Sequence, residues 1–73
     1  MTFDPEADAS FLYLVDEIGT GEAKQSRLIP IELQGSAVIV SCDDTGKALG
    51  VEFLGASNLF TQQMLEALAK TTE

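Results

Sequence analysis

An α+β fold, an antiparallel β-meander of four or five strands closed by one C-terminal amphipathic helix, is what the order of patterns along this chain predicts. Three observations carry the expectation. Short alternating apolar segments recur from Ala9 to Leu54. Turn-forming residues separate them at Asp4-Pro5-Glu6, Gly19-Thr20-Gly21, Gln34-Gly35 and Asp43-Asp44-Thr45-Gly46. Beyond Gly55 the apolar period lengthens to that of a helix, with Phe60, Met64, Leu65 and Leu68 on one side and Gln62, Gln63, Glu66 and Lys70 on the other.

The elements follow in order. In the opening turn, Asp4-Pro5-Glu6-Ala7-Asp8, Pro5 presets φ and Asp4 can accept from the backbone two residues on. A strand is expected from Ala9 to Val15, with Phe11, Tyr13 and Val15 on one face. A longer extended segment is expected from Glu22 to Leu33, at an edge or bulged, because Pro30 has no N–H to give a ladder. Gln34-Gly35 reads as a two-residue hairpin loop, Ala37 to Cys42 as the next strand, and Ala48 to Leu54 as the last. Between these two, Gly46 suits the left-handed position of a three-residue loop that pairs Asp43 with Lys47. Ser57, Asn58 and Thr61 are candidate helix N-caps.

The two hairpins fix a register. Ser41, Ile39 and Ala37 are expected opposite Leu49, Val51 and Phe53, and Ile31 and Ile29 opposite Val38 and Val40 on the other face. Both faces are then apolar, whereas a sheet with one solvated face alternates cleanly. One helix covers one face only. The other needs cover from the same chain or from a second copy; a dimer is the expected cover, and Val40→Asp or Ile31→Asp is expected to break the assembly by burying an unpaired charge.

Size points the same way. The 73 residues allow one domain, 1–73. Domains below about 70–80 residues usually need a staple. Cys42 is the only cysteine and histidine is absent, so an internal disulfide and a structural zinc cage are not expected, which leaves oligomerisation. The lone cysteine suits a reducing, cytoplasmic compartment, the acidic first residues do not resemble a signal peptide, and no apolar run approaches the length of a membrane span.

The formal charge is −8, from 12 acidic and 4 basic residues. Nucleic acid and anionic membrane surfaces are poor partners for such a chain. A basic protein is a candidate partner, and solubility alone is the plainer account of the charge. Catalysis is not expected: Cys42 and the serines have no histidine base, Gly19-Thr20-Gly21 lacks a phosphate-loop lysine, and no carboxylate pair stands out. No cofactor is expected.

The candidate binding residues are Asp4, Glu6, Asp8 and Glu52. The first three have the alternate spacing that begins a calcium loop, but Ala9 replaces its glycine and Val15 its bidentate glutamate, so turn-forming carboxylates are the preferred reading. Glu52, expected on the face of Val38 and Val40, should pair with Arg27, Lys24 or a backbone donor, or else mark an edge or a ligand site. Two function classes remain. One is a non-catalytic, self-associating interaction module. The other is a small-ligand-binding module or enzyme with a carboxylate site at a subunit interface.

Two segments add a family resemblance. Phe3-Asp4-Pro5-Glu6-Ala7-Asp8-Ala9 followed by Phe11-Leu12-Tyr13-Leu14, and Asp43, Asp44 and Gly46 followed by Gly50-Val51-Glu52-Phe53-Leu54 with Ala56-Ser57, resemble the opening and closing signatures of the small, mostly bacterial proteins catalogued as domain of unknown function twenty-two eighty-three. The resemblance covers Phe3 to Ser57. It departs at Ser10, where the family favours leucine, and before Asp4, where only Met1, Thr2 and Phe3 remain for a first strand. It implies no catalytic residues. It does imply, by analogy with members that sit beside small toxin-like proteins, an antitoxin-like role.

Overall fold

The computed structural model describes residues 1–71. Five strands, β1 (Thr2–Asp4), β2 (Ala9–Tyr13), β3 (Gln25–Ile29), β4 (Ala37–Cys42) and β5 (Ala48–Leu54), precede two helical segments, α1 (Ala56–Leu59) and α2 (Gln62–Thr71). The strands form one antiparallel sheet in the order β1-β2-β5-β4-β3. Only β3-β4-β5 is a meander. The hairpin of β1 and β2 docks on β5, a Greek-key arrangement. Residues 14–24 carry the chain along one end of the sheet to its far edge, held by Leu14 N–H donating to Leu49 O (3.0 Å) and Lys24 N–H to Cys42 O (2.9 Å).

The edge position of β3 matches the Pro30 argument, but the strand is shorter than expected. Pro30 cannot extend the ladder, so pairing stops at Ile29 and residues 30–36 form a longer connection than a two-residue loop. Ile29 and Arg27, not Ile31 and Ile29, therefore face Val38 and Val40. The turn after β4 forms as expected: Asp43 N–H donates to Lys47 O (2.9 Å) and Gly46, at φ +87°, donates to Asp43 O (3.1 Å). One residue further on, an irregularity at Ser41/Cys42 shifts the pairing, and Ala37, Ile39 and Ser41 face Leu54, Glu52 and Gly50. A bulge of this kind inserts one residue into one strand and reassigns every later pair.

That shift decides the two faces. One carries Phe3, Ser10, Leu12, Leu49, Val51, Phe53, Val38, Val40 and Cys42. The helical segments pack on this side, against β5 and β1: Phe60, between α1 and α2, meets Phe53 edge-on with ring centres 5.1 Å apart, whereas Ile29 at the β3 end of the same face stays 41% exposed. The well-buried Ser10, Cys42 and Leu49 all belong to this face, and Leu68 of α2 is buried with them. Ser10, where leucine was the family's preference, donates its hydroxyl to Thr2 O (2.6 Å) and so ties β1 to β2. The other face carries Phe11, Tyr13, Leu28, Ile39, Leu54 and Glu52, with no helix over it. Val40 thus lies on the helical side of the sheet, half-buried, and Glu52 lies on the face opposite to the one expected for it.

The C-terminal helix is entered in two steps. Phe60 is extended (φ −103°, ψ 150°) and ends α1. Thr61 then caps α2, its Oγ1 accepting the Met64 N–H at 3.1 Å, and this picks Thr61 from the three candidate caps.

Candidate functional site

Three connections converge at the end of the sheet where β5 runs into α1. Asp8, from the β1–β2 turn, accepts the Ala56 N–H on its carbonyl (2.9 Å). Its carboxylate accepts the Ser57 N–H (3.0 Å) and the Ser57 hydroxyl (2.6 Å), so a residue 49 positions away closes the first turn of α1. Ser36, from the β3–β4 connection, donates its hydroxyl to Gly55 O at 3.0 Å. Gly55 holds φ +68°, and a side chain there would strike the Gly35 carbonyl and the Ser36 hydroxyl. Ala56, beside it, is fully buried. Asp8 itself has φ +52°, a conformation that aspartate tolerates better than most residues.

Of the expected site residues, Asp4 and Glu52 border one hollow, while Glu6 and Asp8 lie outside it. Asp4 folds its carboxylate back onto its own turn, accepting from Glu6 N–H (3.0 Å) and Ala7 N–H (3.4 Å), and Asp8 is committed to Ser57. Glu6 is exposed on the same turn. Among the described residues, no three acidic, cysteine or histidine side chains gather in the manner of a metal site.

Glu52 stands apart from these. It is half-buried on the central strand, between Phe11 of β2 and Ile39 of β4, and with Asp4 it borders an open hollow of about 210 Å³. The pairing with Arg27 or Lys24 expected for it does not occur, and the Lys24 Nζ lies beside Gly21. Arg27 faces the helical side, and its guanidinium lies over Gly46, with Nη2 2.8 Å from where a Cβ there would stand. Among the described residues Glu52 has no ion pair or side-chain hydrogen bond. Its flank is aromatic. The Phe11 ring packs 4.8 Å from that of Tyr13 and lies across Gly50, where a Cβ would come within 2.5 Å of it.

Residues 1–57 match a family described only as a protein of unknown function, DUF2283. The chain belongs to the DUF2283 family. No curated protein and no solved structure matches it. In this DUF2283 chain the opening and closing signatures meet physically: Asp8 of the first holds Ala56 and Ser57 of the second. Asp4 and Asp8 of the opening motif thus serve as turn-forming and capping carboxylates, the reading preferred from the sequence, and Glu6 stays exposed. Sequence reasoning took Gly35 only as a hairpin-loop residue and passed over Ser36, so it missed their contact with Gly55. Their only local signal is a glycine suited to φ > 0, and Gly35 does adopt φ +80°.

The acidic turn of this DUF2283 chain is equally self-contained. Asp43 Oδ1 accepts from the Thr45 hydroxyl (2.7 Å), Lys47 N–H (3.0 Å) and Thr45 N–H (2.9 Å). The Thr45 hydroxyl, then the Lys47 amide, hold the carboxyl below its ordinary value of 3.8. A carboxyl depressed in the folded state stabilises it above the unfolded value, and the contribution disappears as pH falls through the lower folded value. Asp43→Ala is therefore expected to melt below wild type at neutral pH. The gap should close as pH drops below 3.8, and thermal melts followed by circular dichroism at neutral pH and near pH 2.5 check this. A gap that stays constant to the lower pH would remove the assignment.

Proposed function

We propose that this chain is a non-catalytic, self-associating interaction module that works through the open face of its sheet. The observation that carries the reading is the composition of that face: Phe11, Tyr13, Leu28, Ile39 and Leu54 share it without a covering element, and Tyr13 is 49% and Leu28 69% exposed. Five strands spaced about 4.8 Å, each about five residues long, give roughly 400 Å² in plan. Two such faces packed together bury on the order of 1,000 Å² in total, at the low end of specific interfaces. A second copy matches the face in size and chemistry, sheets stack about 10 Å apart, and closed two-fold association is the commonest form.

Edge pairing is the weaker route. In a two-fold β3–β3 contact centred on the strand, Arg27 would oppose its own copy, and Pro30 follows directly. The non-catalytic part is supported by the absence of histidine and by Cys42, 1% exposed and without a base beside it. A cytoplasmic setting fits the free thiol, and no helix among the described residues is long and apolar enough to cross a membrane.

Light scattering tests the reading: the chain should run at twice its own mass at micromolar concentration. Because Val40 lies on the helical side of the sheet and Leu28 and Ile39 on the open one, the decisive variants are Leu28→Asp and Ile39→Asp. Each places an unpaired charge in the contact and should weaken association by about tenfold or more. Leu28 is 69% exposed in the single chain, so its variant should still give the circular-dichroism spectrum of a folded protein, with a melt lowered only by the lost association. A monomeric wild type would overturn the reading. The exposed Asp16, Glu17 and Asp44 favour a second reading, an antitoxin-like contact with a basic protein. In that case a heteromeric complex, dissociated by salt, would appear in place of the dimer.

A further inference from the structure

Resting on the open-face reading, we infer that Glu52 makes self-association proton-linked, so that acid conditions favour the assembled state. Glu52 occupies the middle strand of five, so a two-fold contact centred on the face brings the two Glu52 side chains toward one another. The groups that face it are known from every neighbouring strand. β2 offers Ala9, Phe11 and Tyr13; β4 offers Ala37, Ile39 and Ser41; β3 offers Ser26 and Leu28; β1 offers Thr2 and Asp4. None is a cation. Asp4 is the only other charged group, and it is already held by the Glu6 and Ala7 amides.

Covering the face removes water from Glu52 and supplies nothing to replace it. An ionised carboxylate in an apolar contact without a partner is strongly disfavoured, and two of them in one dry site cannot both stay charged. Assembly therefore takes up protons, and by linkage lowering the pH strengthens assembly. Charges elsewhere on the acidic chain also repel between copies, so the test must separate Glu52 from net charge.

Glu66 provides the control. It is exposed on α2, behind the opposite face, and Glu66→Gln changes the formal charge by the same amount as Glu52→Gln. Sedimentation equilibrium at about pH 7.5 and about pH 5 reads the dimer constant of each. Wild type and Glu66→Gln should associate about tenfold or more tightly at the lower pH, while Glu52→Gln should be tight at both. If Glu52→Gln keeps the same pH dependence as Glu66→Gln, the inference is overturned and net charge alone is responsible. If all three stay monomeric at both pH values, the open-face reading itself fails, and the inference with it.

Discussion

Gly55→Ala is expected to destabilise the fold by about 2–4 kcal/mol, of which about 1–2 comes from forcing a Cβ into the left-handed region and the rest from overlap. The overlap is with backbone. The new methyl would meet the Gly35 carbonyl and the Ser36 Cα, which cannot move without displacing the β3–β4 connection, and the Ser36 hydroxyl, which can turn away only by giving up its bond to Gly55 O. A domain of this length holds only on the order of 4–11 kcal/mol, so the melting temperature should fall by roughly 10–25 °C. Gly21→Ala is the matched comparison. Gly21 has a similar φ of +76°, but only the end of the Lys24 side chain lies near, at 4.0 Å. It should lose only about 1 kcal/mol. Equal melts for the two variants would show that the convergence at Gly55 is looser than its geometry implies.

Asp8→Ala is expected to cost about 2–3 kcal/mol, from two charge-assisted hydrogen bonds to Ser57 and from the positive φ. Asp8→Gly separates these contributions. Glycine accepts the φ of +52° without strain, so its loss reports the carboxylate alone and should be smaller by about 1 kcal/mol. Asp8→Asn should lie nearest wild type, because its amide oxygen still accepts and asparagine tolerates the left-handed region. Urea melts with an unchanged slope would confirm that stability, not compactness, has shifted. If Asp8→Gly matches wild type, the contact with Ser57 contributes nothing.

Both residues bear on what the sequence discloses. The Asp43–Lys47 turn was legible because its chemistry is local: an aspartate, a glycine at the left-handed position, and a fixed loop length. Thr61 was among the legible caps for the same reason. The irregularity at Ser41/Cys42 was not legible, since alternation continues through Leu49 without a break and only the paired strands reveal the extra residue. That single residue moved Glu52 from beside Val38 and Val40 to beside Phe11 and Ile39, and so moved the candidate site to the open face. The placement of β2 against β5 was likewise hidden, because strands distant in the chain leave no mark on each other's local pattern. Asp8 and Ser57 were each conspicuous as signature residues, yet nothing near either one names the other as its partner.

The Greek-key order has a consequence for how the chain reaches its native state. β3, β4 and β5 meet through short connections, so their pairings demand little loop-closure entropy and can form early. β2 must wait for β5, and the first strand of the sheet waits with it. A ribosome emits the N-terminal hairpin first, yet that hairpin has no docking edge until residue 54 has emerged. During synthesis, then, Phe11 and Leu12 spend their time without the neighbours that later shelter them, and the nascent chain is most exposed to misassociation at its oldest end.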